Sequence, residues 1–233
     1  MKYAILADIH ANLEALHAVL VDAKLQGCTR YVCLGDIVGY NADPKECLDI
    51  VRGMEMPCVK GNHDDYCSAD HPLDGFNPKA ATMVNWTRWQ LKADDRRWLR
   101  ELPLVAEIDG FTIVHATLDG PARWGYVFDK HAAAASFSYQ STPVCFYGHT
   151  HVPVAFMRDS MVRGGTYSKF RIEAGKQYFI NPGAVGQPRD GNPKAAYVVY
   201  DRNDQTVELR RVDYDIPGAL AKIKAAGLPP GLK

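Results

Sequence analysis

The chain has 233 residues, of which 47% are hydrophobic and 23% charged, so it can bury a substantial core and does not have a disordered composition. Its 27 basic and 27 acidic residues cancel, which offers no overall positive field for nucleic acid or an anionic membrane surface. It contains no run of 18 apolar residues, no secretory leader pattern and no Cys-x-x-Cys pair among its six cysteines. We therefore expect a cytoplasmic protein with reduced thiols and no membrane span.

The first part of the chain alternates short apolar runs with segments of helical periodicity. Strands are predicted at residues 2–8, 30–36 and 56–62, with helices between them that begin near Leu13 and at Asp43-Pro44. Asp caps a helix and Pro suits its first turn, which is why the second helix is placed there. This order of strands and helices predicts parallel strands joined by right-handed crossovers.

The rest of the chain is richer in predicted strands. Two helices come first, one from Asn77-Pro78 to about Leu91 and one capped by Asp94 and ending near Glu101. An Asp-Gly dipeptide then predicts a hairpin of residues 104–108 and 111–116. Further strands are predicted at 143–148, 152–158, 177–181, 195–201 and 206–212, with helices at 130–137 and near the C-terminus. Without a repeat or a low-complexity linker, we predict one α/β domain, residues 1–233, with two packed sheets and helices outside.

Polar residues follow the predicted strands where the strands end. They are Asp8, His10, Asp36, Asn62, His63, Asp64, His115, and the His149 and His151 of FYGHTHVP (146–153). Ligands of open α/β sheets bind outside the carboxyl ends of the strands. Five of the eight histidines occupy such positions. One such histidine alone could be a hydrogen-bonded or exposed side chain without a function, but five together favour a shared binding site. The other three, His17, His71 and His131, are interpreted as surface or helix-face residues.

The residue types at these strand ends indicate a metal site. Carboxylates, imidazoles and one amide, with no thiolate, are typical of catalytic Mn, Fe, Co, Ni or Zn rather than of a closed structural zinc. The seven candidate ligands are Asp8, His10, Asp36, Asn62, His115, His149 and His151. Seven ligands suit two ions with open water positions if one carboxylate bridges. Two ions about 3.5–4 Å apart can clamp the oxygens of a phosphoryl displacement and lower the pKa of a bound water to about 7. Two divalent ions would also leave the site positively charged, so that a net-neutral protein can attract a phosphate.

Five motifs together, D-x-H, G-D, G-N-H-D, a single His and G-H-x-H, resemble the signature of the calcineurin-like metallophosphoesterases. The chain is similar in particular to the small prokaryotic branch described as predicted phosphoesterases or relatives of diadenosine tetraphosphatases. Segments such as DIHANLEAL, GDIVGYNADP and NPGAVGQPRDG carry this similarity across nearly the whole chain. The resemblance implies a four-layer α/β/β/α sandwich of two mixed β-sheets flanked by helices.

The same resemblance implies a reaction and a role for each residue. The protein would hydrolyse a phosphate mono- or diester, with a phosphodiesterase favoured, by in-line attack of a metal-bridging hydroxide, and Asp36 would bridge the two ions. Two divalent ions, with manganese favoured, would be the cofactors. The first ion would take Asp8, His10, Asp36 and His151, and the second would take Asp36, Asn62, His115 and His149. His63 would stand beside the phosphate as a general acid or a charge stabiliser.

The sequence departs from the wider superfamily near His63. Gly39-Tyr40-Asn41 stands where protein Ser/Thr phosphatases carry an Asp-Arg pair, which argues against a phosphoprotein phosphatase. Either Asp64 or Asp65 could support His63 instead. Ala11 replaces a glycine common in the branch, a change expected to be tolerated.

Substrate-binding candidates are fewer. Arg189, in the glycine-rich loop 181–191, is a candidate bidentate phosphate donor, although the loop could equally be a structural turn whose arginine pairs with an acid. Asn12, Tyr40 and Arg123 are weaker candidates. The expected partner is a small phosphate ester, with no nucleic acid or membrane, and the oligomeric state stays open. The rival interpretation is a non-catalytic metal-binding scaffold, as in the retromer subunit that resembles these enzymes but has lost ligands. The complete ligand set favours catalysis.

Overall fold

Two mixed β-sheets and seven α-helices form the part of the chain that the computed structural model describes, residues 1–73 and 78–229. The strands are β1 (Lys2–Leu6), β2 (Arg30–Cys33), β3 (Val105–Ile108), β4 (Phe111–Val114), β5 (Val144–Phe146), β6 (Val154–Arg158), β7 (Val162–Gly165), β8 (Lys169–Arg171), β9 (Gln177–Asn181), β10 (Ala195–Asp201) and β11 (Thr206–Val212). The helices are α1 (Leu13–Leu25), α2 (Pro44–Gly53), α3 (Asn62–Ser68), α4 (Pro78–Gln90), α5 (Ala93–Glu101), α6 (Lys130–Phe137) and α7 (Ile216–Ala225), with a 3-10 turn at Pro121–Arg123.

The two sheets differ in size and both mix parallel and antiparallel pairs. The first has the strand order β2-β1-β10-β11-β8, with β1 parallel to β2 and antiparallel to β10. The second has the order β3-β4-β5-β9-β6-β7, and its centre, β4, β5 and β9, is parallel. Parallel neighbours end at the same edge of a sheet, so the loops after β1 and β2, and those after β4 and β5, emerge together.

Side-chain alternation along β1 explains the layering. Tyr3 and Ile5 belong to the apolar cluster between the sheets, together with Phe146 of the second sheet. Ala4 and Leu6 point to the opposite face and pack with α1 and α2. On the far side, Phe137 of α6 covers the second sheet. The resulting order of helices, sheet, sheet and helix confirms the predicted fold class. None of the helices within the described ranges is both long and apolar enough to cross a bilayer.

The predicted third strand at residues 56–62 is wrong. Only one isolated parallel bridge, between Cys33 and Cys58, joins this segment to β2. Pro57 supplies no amide hydrogen for a ladder, and the chain turns at Gly61 to start α3. The Asp64 carboxylate accepts a hydrogen bond from the Gly61 amide at 3.0 Å, which caps that helix.

Other boundaries also differ from the prediction. Strands β7 and β8 were not predicted, and α5 begins at Ala93 because Asp95, rather than Asp94, accepts a hydrogen bond from the amide of Lys92. The predicted start of α4 at Asn77 lies outside the described residues, as does the end of the C-terminal tail. The Asp109-Gly110 hairpin is confirmed, since β3 pairs antiparallel with β4 and both turn residues have positive φ.

Candidate metal centre

Four of the predicted ligands form a buried group at the ends of β1, β2 and β5. Ligand atoms of Asp8, His10, Asp36 and His151 all lie within 4.8 Å of one another. His10 Nε2 is 3.5 Å from Asp36 Oδ2, and His151 Nε2 is 3.6 Å from Asp8 Oδ1. The spacing leaves room for one ion among the four side chains.

A second group adjoins the first and shares Asp36. Ligand atoms of Asp36, His115 and His149 also lie within 4.8 Å of one another. The side-chain amide oxygen of Asn62, Oδ1, is 3.1 Å from His115 Nε2, which adds a fourth ligand side chain to this group. Asp36 Oδ2 is 3.4 Å from His115 Nε2 and therefore faces both groups. The structure thus brings all seven predicted ligand side chains together around one shared carboxylate oxygen.

Backbone carbonyls fix the imidazoles of the first group. His10 Nδ1 lies 3.1 Å from the carbonyl oxygen of Val38, and His151 Nδ1 lies 2.6 Å from that of Gln187. Each Nδ1 must carry the proton to donate to its carbonyl, so each Nε2 presents a lone pair to the site. These two Nε2 atoms are only 3.0 Å apart. Two lone pairs facing each other at that distance repel unless a proton or a metal ion lies between them, and with the two carboxylates alongside, the first group fits a metal ion.

The second group is built in the same way. His115 Nδ1 lies 2.8 Å from the carbonyl oxygen of Leu34, and His149 Nε2 lies 2.9 Å from that of Trp124. The free nitrogens, His115 Nε2 and His149 Nδ1, face each other at 3.2 Å. This group fits a metal ion as well, with the opposite ring nitrogen of His149 turned inward.

Burial and mutual charge shift the pKa values of the ligand groups. Burial raises the pKa of Asp8 to about 7. Burial alone would lower the pKa of His115, but the adjacent Asp36 carboxylate outweighs it and raises the pKa to about 9. Burial and the neighbouring charge of His115 lower the pKa of His149 to about 3. Without bound metal, Asp8 and His115 are therefore the ligands that take up protons most readily. The other ligand imidazoles, whose pKa values are lowered, stay neutral.

The loops that present these ligands have a strained backbone. Five of the seven ligand positions adopt φ between 47° and 68°, the left-handed region that non-glycine residues disfavour: Asp8, His10, Asp36, His149 and His151. Such conformations cluster at functional sites, where the surrounding structure holds them in place. The backbone here turns sharply at each strand end so that the side chains converge.

Two glycines allow the close approach of these loops. A Cβ at Gly148 would lie 2.9 Å from Asp8 Oδ2, and a Cβ at Gly61 would overlap Asp36 Oδ1. Both motifs, G-H-x-H and G-N-H-D, therefore need glycine because the backbone passes against a carboxylate of the site.

His63 lies beside the ligand groups, and among residues 1–73 and 78–229 no acidic side chain accepts a hydrogen bond from its ring. It is 7% exposed, its ring packs 4.3 Å from Tyr40 and 4.9 Å from His10, and its Nδ1 is buried without a hydrogen bond. Burial lowers the pKa of His63. Of the two carboxylates considered for its support, Asp64 instead accepts hydrogen bonds from the backbone amides of residues 36–38. Asp65 lies 3.6 Å from Lys60.

The substrate-binding candidates occupy different environments. The Arg189 guanidinium lies 5.7 Å from the centre of the Tyr40 ring and donates to the amide oxygen of Gln187, not to an acid. Asn12 is buried at the N-terminus of α1, where it accepts from the Ala15 amide and donates to the carbonyl of Gly186. Tyr40 and Arg189 therefore lie at the rim of the site. Both polar side-chain atoms of Asn12 form hydrogen bonds within the protein.

A cleft of about 360 Å³ opens beside the second ligand group. Its polar part is formed by Asn62, His63 and His149, and its aromatic part by Tyr40, Tyr66, Trp124 and Tyr126, with Arg123 also lining it. The Arg123 side chain is 75% exposed and lies 3.4 Å from Asp119. Through this cleft a ligand can therefore reach both His63 and the second ligand group.

Several supporting residues were not predicted from the sequence. The carbonyls of Val38, Gln187, Leu34 and Trp124 orient the histidines, but a backbone carbonyl has no residue-type signal. Asn181 is buried and donates to the Gly148 carbonyl at 2.7 Å and to the Thr150 hydroxyl oxygen at 3.0 Å, which holds the G-H-x-H turn. An asparagine at the end of a predicted strand was a signal that could have found it.

Known proteins resemble the whole chain. The family sequence model of the calcineurin-like phosphoesterase superfamily domain matches residues 1–205. The chain is 40% identical over 232 residues to the uncharacterized protein MJ0912 of Methanocaldococcus jannaschii, an alignment that covers 97% of this chain and 93% of that protein. It is 26% identical over 226 residues to the phosphodiesterase YfcE of Escherichia coli, covering 89% of this chain and 95% of YfcE. A metallophosphoesterase from Sphaerobacter thermophilus superposes with a TM-score of 0.87 at 40% identity, covering 98% of this chain and 95% of that one. The chain therefore belongs to the calcineurin-like phosphoesterase superfamily, a family of divalent-metal-dependent phosphoesterases.

Proposed function

We propose that this protein is a dinuclear-metal-dependent phosphoesterase that acts on a small phosphate ester, preferentially a diester. The observation that carries the proposal is the pair of ligand groups that share Asp36 Oδ2, each with two imidazole nitrogens facing each other at 3.0 or 3.2 Å. The similarity to the phosphodiesterase YfcE supports the preference for diesters. We assign the whole chain, residues 1–233, to one catalytic domain.

Each ion would be held by four side chains. The first would be bound by Asp8, His10, Asp36 and His151, and the second by Asp36, Asn62, His115 and His149. These nitrogen and oxygen donors suit Mn, Fe, Co, Ni or Zn, and we favour manganese for activity. When bound, such ions polarise phosphoryl oxygens and lower the pKa of water, which is the chemistry that ester hydrolysis needs.

The protein groups around the ligand groups would orient the ester. His63 lines the cleft next to Asn62 and would hydrogen-bond the leaving oxygen from there. Because no carboxylate in the described part of the chain accepts a hydrogen bond from its Nδ1, we favour a role as hydrogen-bond donor and stabiliser of developing charge over a role as general acid. Arg189, which lies over the Tyr40 ring, and Arg123, which lines the cleft, are proposed to attract the phosphate. We assign Asn12 a supporting role toward the loop at Gly186.

Metal analysis combined with a substrate panel tests the proposal. Protein stripped by a chelator and reloaded with Mn²⁺ is expected to bind two ions per chain and to hydrolyse bis-p-nitrophenyl phosphate faster than p-nitrophenyl phosphate. Cyclic nucleotides and dinucleoside polyphosphates then narrow the substrate. A fully loaded protein with no turnover of any phosphate ester would contradict the proposal and favour the non-catalytic scaffold.

A further inference from the structure

Two exposed aromatic rings lie near the second ligand group: Tyr126 lines the cleft, and Phe128, which is not part of the cleft lining, stacks against Tyr126. Tyr126 and Phe128 follow the 3-10 turn Pro121–Arg123 and are 56% and 59% exposed. Their ring planes are parallel within 5°, with centroids 5.7 Å apart. We call these two residues the aromatic wall. Adjacent exposed aromatic rings are unusual unless they bind something, because each leaves a large apolar area in water.

The aromatic wall is joined directly to the ligand groups. The Tyr126 ring stacks on the imidazole of His149, with centroids 4.2 Å apart and planes at 25°. Tyr126 also lines the cleft that reaches His63 and Asn62. A phosphate positioned at the ligand groups would therefore place one of its ester substituents along this wall.

The size and charge of the cleft limit what that substituent can be. About 360 Å³ accommodates one small organic group rather than a polymer. The chain has no net charge, so it offers no overall positive field that would favour a long polynucleotide backbone. Parallel aromatic rings favour a flat partner, since planar rings stack on them regardless of their hydrogen-bonding pattern.

We propose that the aromatic wall determines specificity by packing against a planar ring, such as a nucleobase, carried by one ester substituent of the substrate. The proposal rests on the proposed phosphoesterase function and names the class of ester that the site selects. Tyr126 and Phe128 act in binding only and take no part in proton transfer. Stacking on such side chains typically changes binding by about 5- to 150-fold per base.

A matched pair of diesters tests the proposal. Adenosine 5′-(methyl phosphate) and ribose 5-(methyl phosphate) differ only in the base, and their turnover by the Mn²⁺-loaded protein can be followed by phosphorus NMR. The wild-type kcat/KM is expected to be at least about 5-fold higher for the adenosine ester. In Tyr126→Ala and Phe128→Ala this ratio should fall toward one. Tyr139→Ala, which removes an exposed tyrosine that does not line the cleft, should keep the wild-type ratio.

The outcomes separate this proposal from the function on which it rests. Lack of turnover of either ester contradicts the phosphoesterase function, whereas turnover of both at equal kcat/KM overturns the aromatic-wall proposal. Calorimetric binding of AMP and ribose 5-phosphate gives a readout without turnover, and equal dissociation constants would also overturn it. If Tyr126→Ala loses manganese while Phe128→Ala keeps the base preference, Tyr126 only shields His149 and the proposal is wrong.

Discussion

The imidazole of His63 packs against the phenol ring of Tyr40, with ring centroids 4.3 Å apart. Gly39 completes the arrangement, because a Cβ there would lie 2.6 Å from His63 Nδ1. The GYN sequence at residues 39–41 therefore positions His63 by shape. A histidine held in this way can rotate toward a leaving oxygen without first breaking a charged hydrogen bond.

Removing His63 should slow the reaction without removing metal. We expect His63→Ala to bind two ions per chain and to lower kcat by roughly 10²–10⁴, the usual contribution of a group that assists a leaving oxygen. The loss should be larger for a methyl ester than for a p-nitrophenyl ester, because the poorer leaving group depends more on assistance. His131→Ala, an exposed imidazole on α6, is the matched control. Full activity of His63→Ala on the methyl ester would show that the assigned role is wrong.

Substitution of the shared carboxylate should affect both ions at once. Asp36→Asn keeps the shape of the side chain but removes the charge that faces His10 and His115 at 3.5 and 3.4 Å. We expect its metal content and its activity to fall together, to the level of the chelator-treated protein. Elemental analysis and turnover should be compared with Asp49→Asn, which neutralises a half-exposed carboxylate on α2. A variant that retained two ions would refute a bridging role for Asp36.

Because Gly61 lies against Asp36, we also predict the effect of a side chain at Gly61 on metal binding and stability. A methyl group at Gly61 overlaps Asp36 Oδ1, so Gly61→Ala should displace the carboxylate, weaken metal binding and lower the free energy of unfolding by about 1–3 kcal/mol. Gly53→Ala, at the end of α2, meets no atom within 4 Å and should raise that free energy by up to about 1 kcal/mol. Denaturant unfolding and metal titration of both variants check this pair. Equal metal affinity in the two variants would contradict the prediction.

Metal uptake should release protons in a defined pH range. With a pKa of about 9, His115 holds a proton at pH 8, whereas Asp8, with a pKa of about 7, is largely ionised there. An ion must displace the His115 proton, so metal affinity should rise between about pH 7 and pH 9 and fall further as Asp8 protonates below pH 7. Calorimetry at pH 8 in buffers of different ionisation enthalpy should report about one proton released per chain from His115, in addition to any proton released by metal-bound water. If no protons were released at pH 8, the predicted rise of metal affinity with pH would be wrong.

The seven ligand side chains could be predicted because their residue types and their position after strands both point to a metal. The fold class could be predicted from the order of strands and helices along the chain. The environment of His63 could not be predicted, because Asp64 sits next to it in sequence yet turns its carboxylate to the backbone of residues 36–38. Strands β7 and β8 are short and largely exposed, and Gly164-Gly165 gives no alternating pattern, so only pairing with neighbouring strands defines them.

The left-handed backbone at five ligand positions links metal supply to the lifetime of the folded chain. Each such residue costs about 1 kcal/mol, and coordination of an ion offsets that cost only while the ion is bound. A free metal concentration 1,000 times the dissociation constant adds about 4 kcal/mol to the stability of the folded state. We therefore expect a cell starved of divalent metal to lose this protein by unfolding and proteolysis, and not merely to hold it in an inactive form.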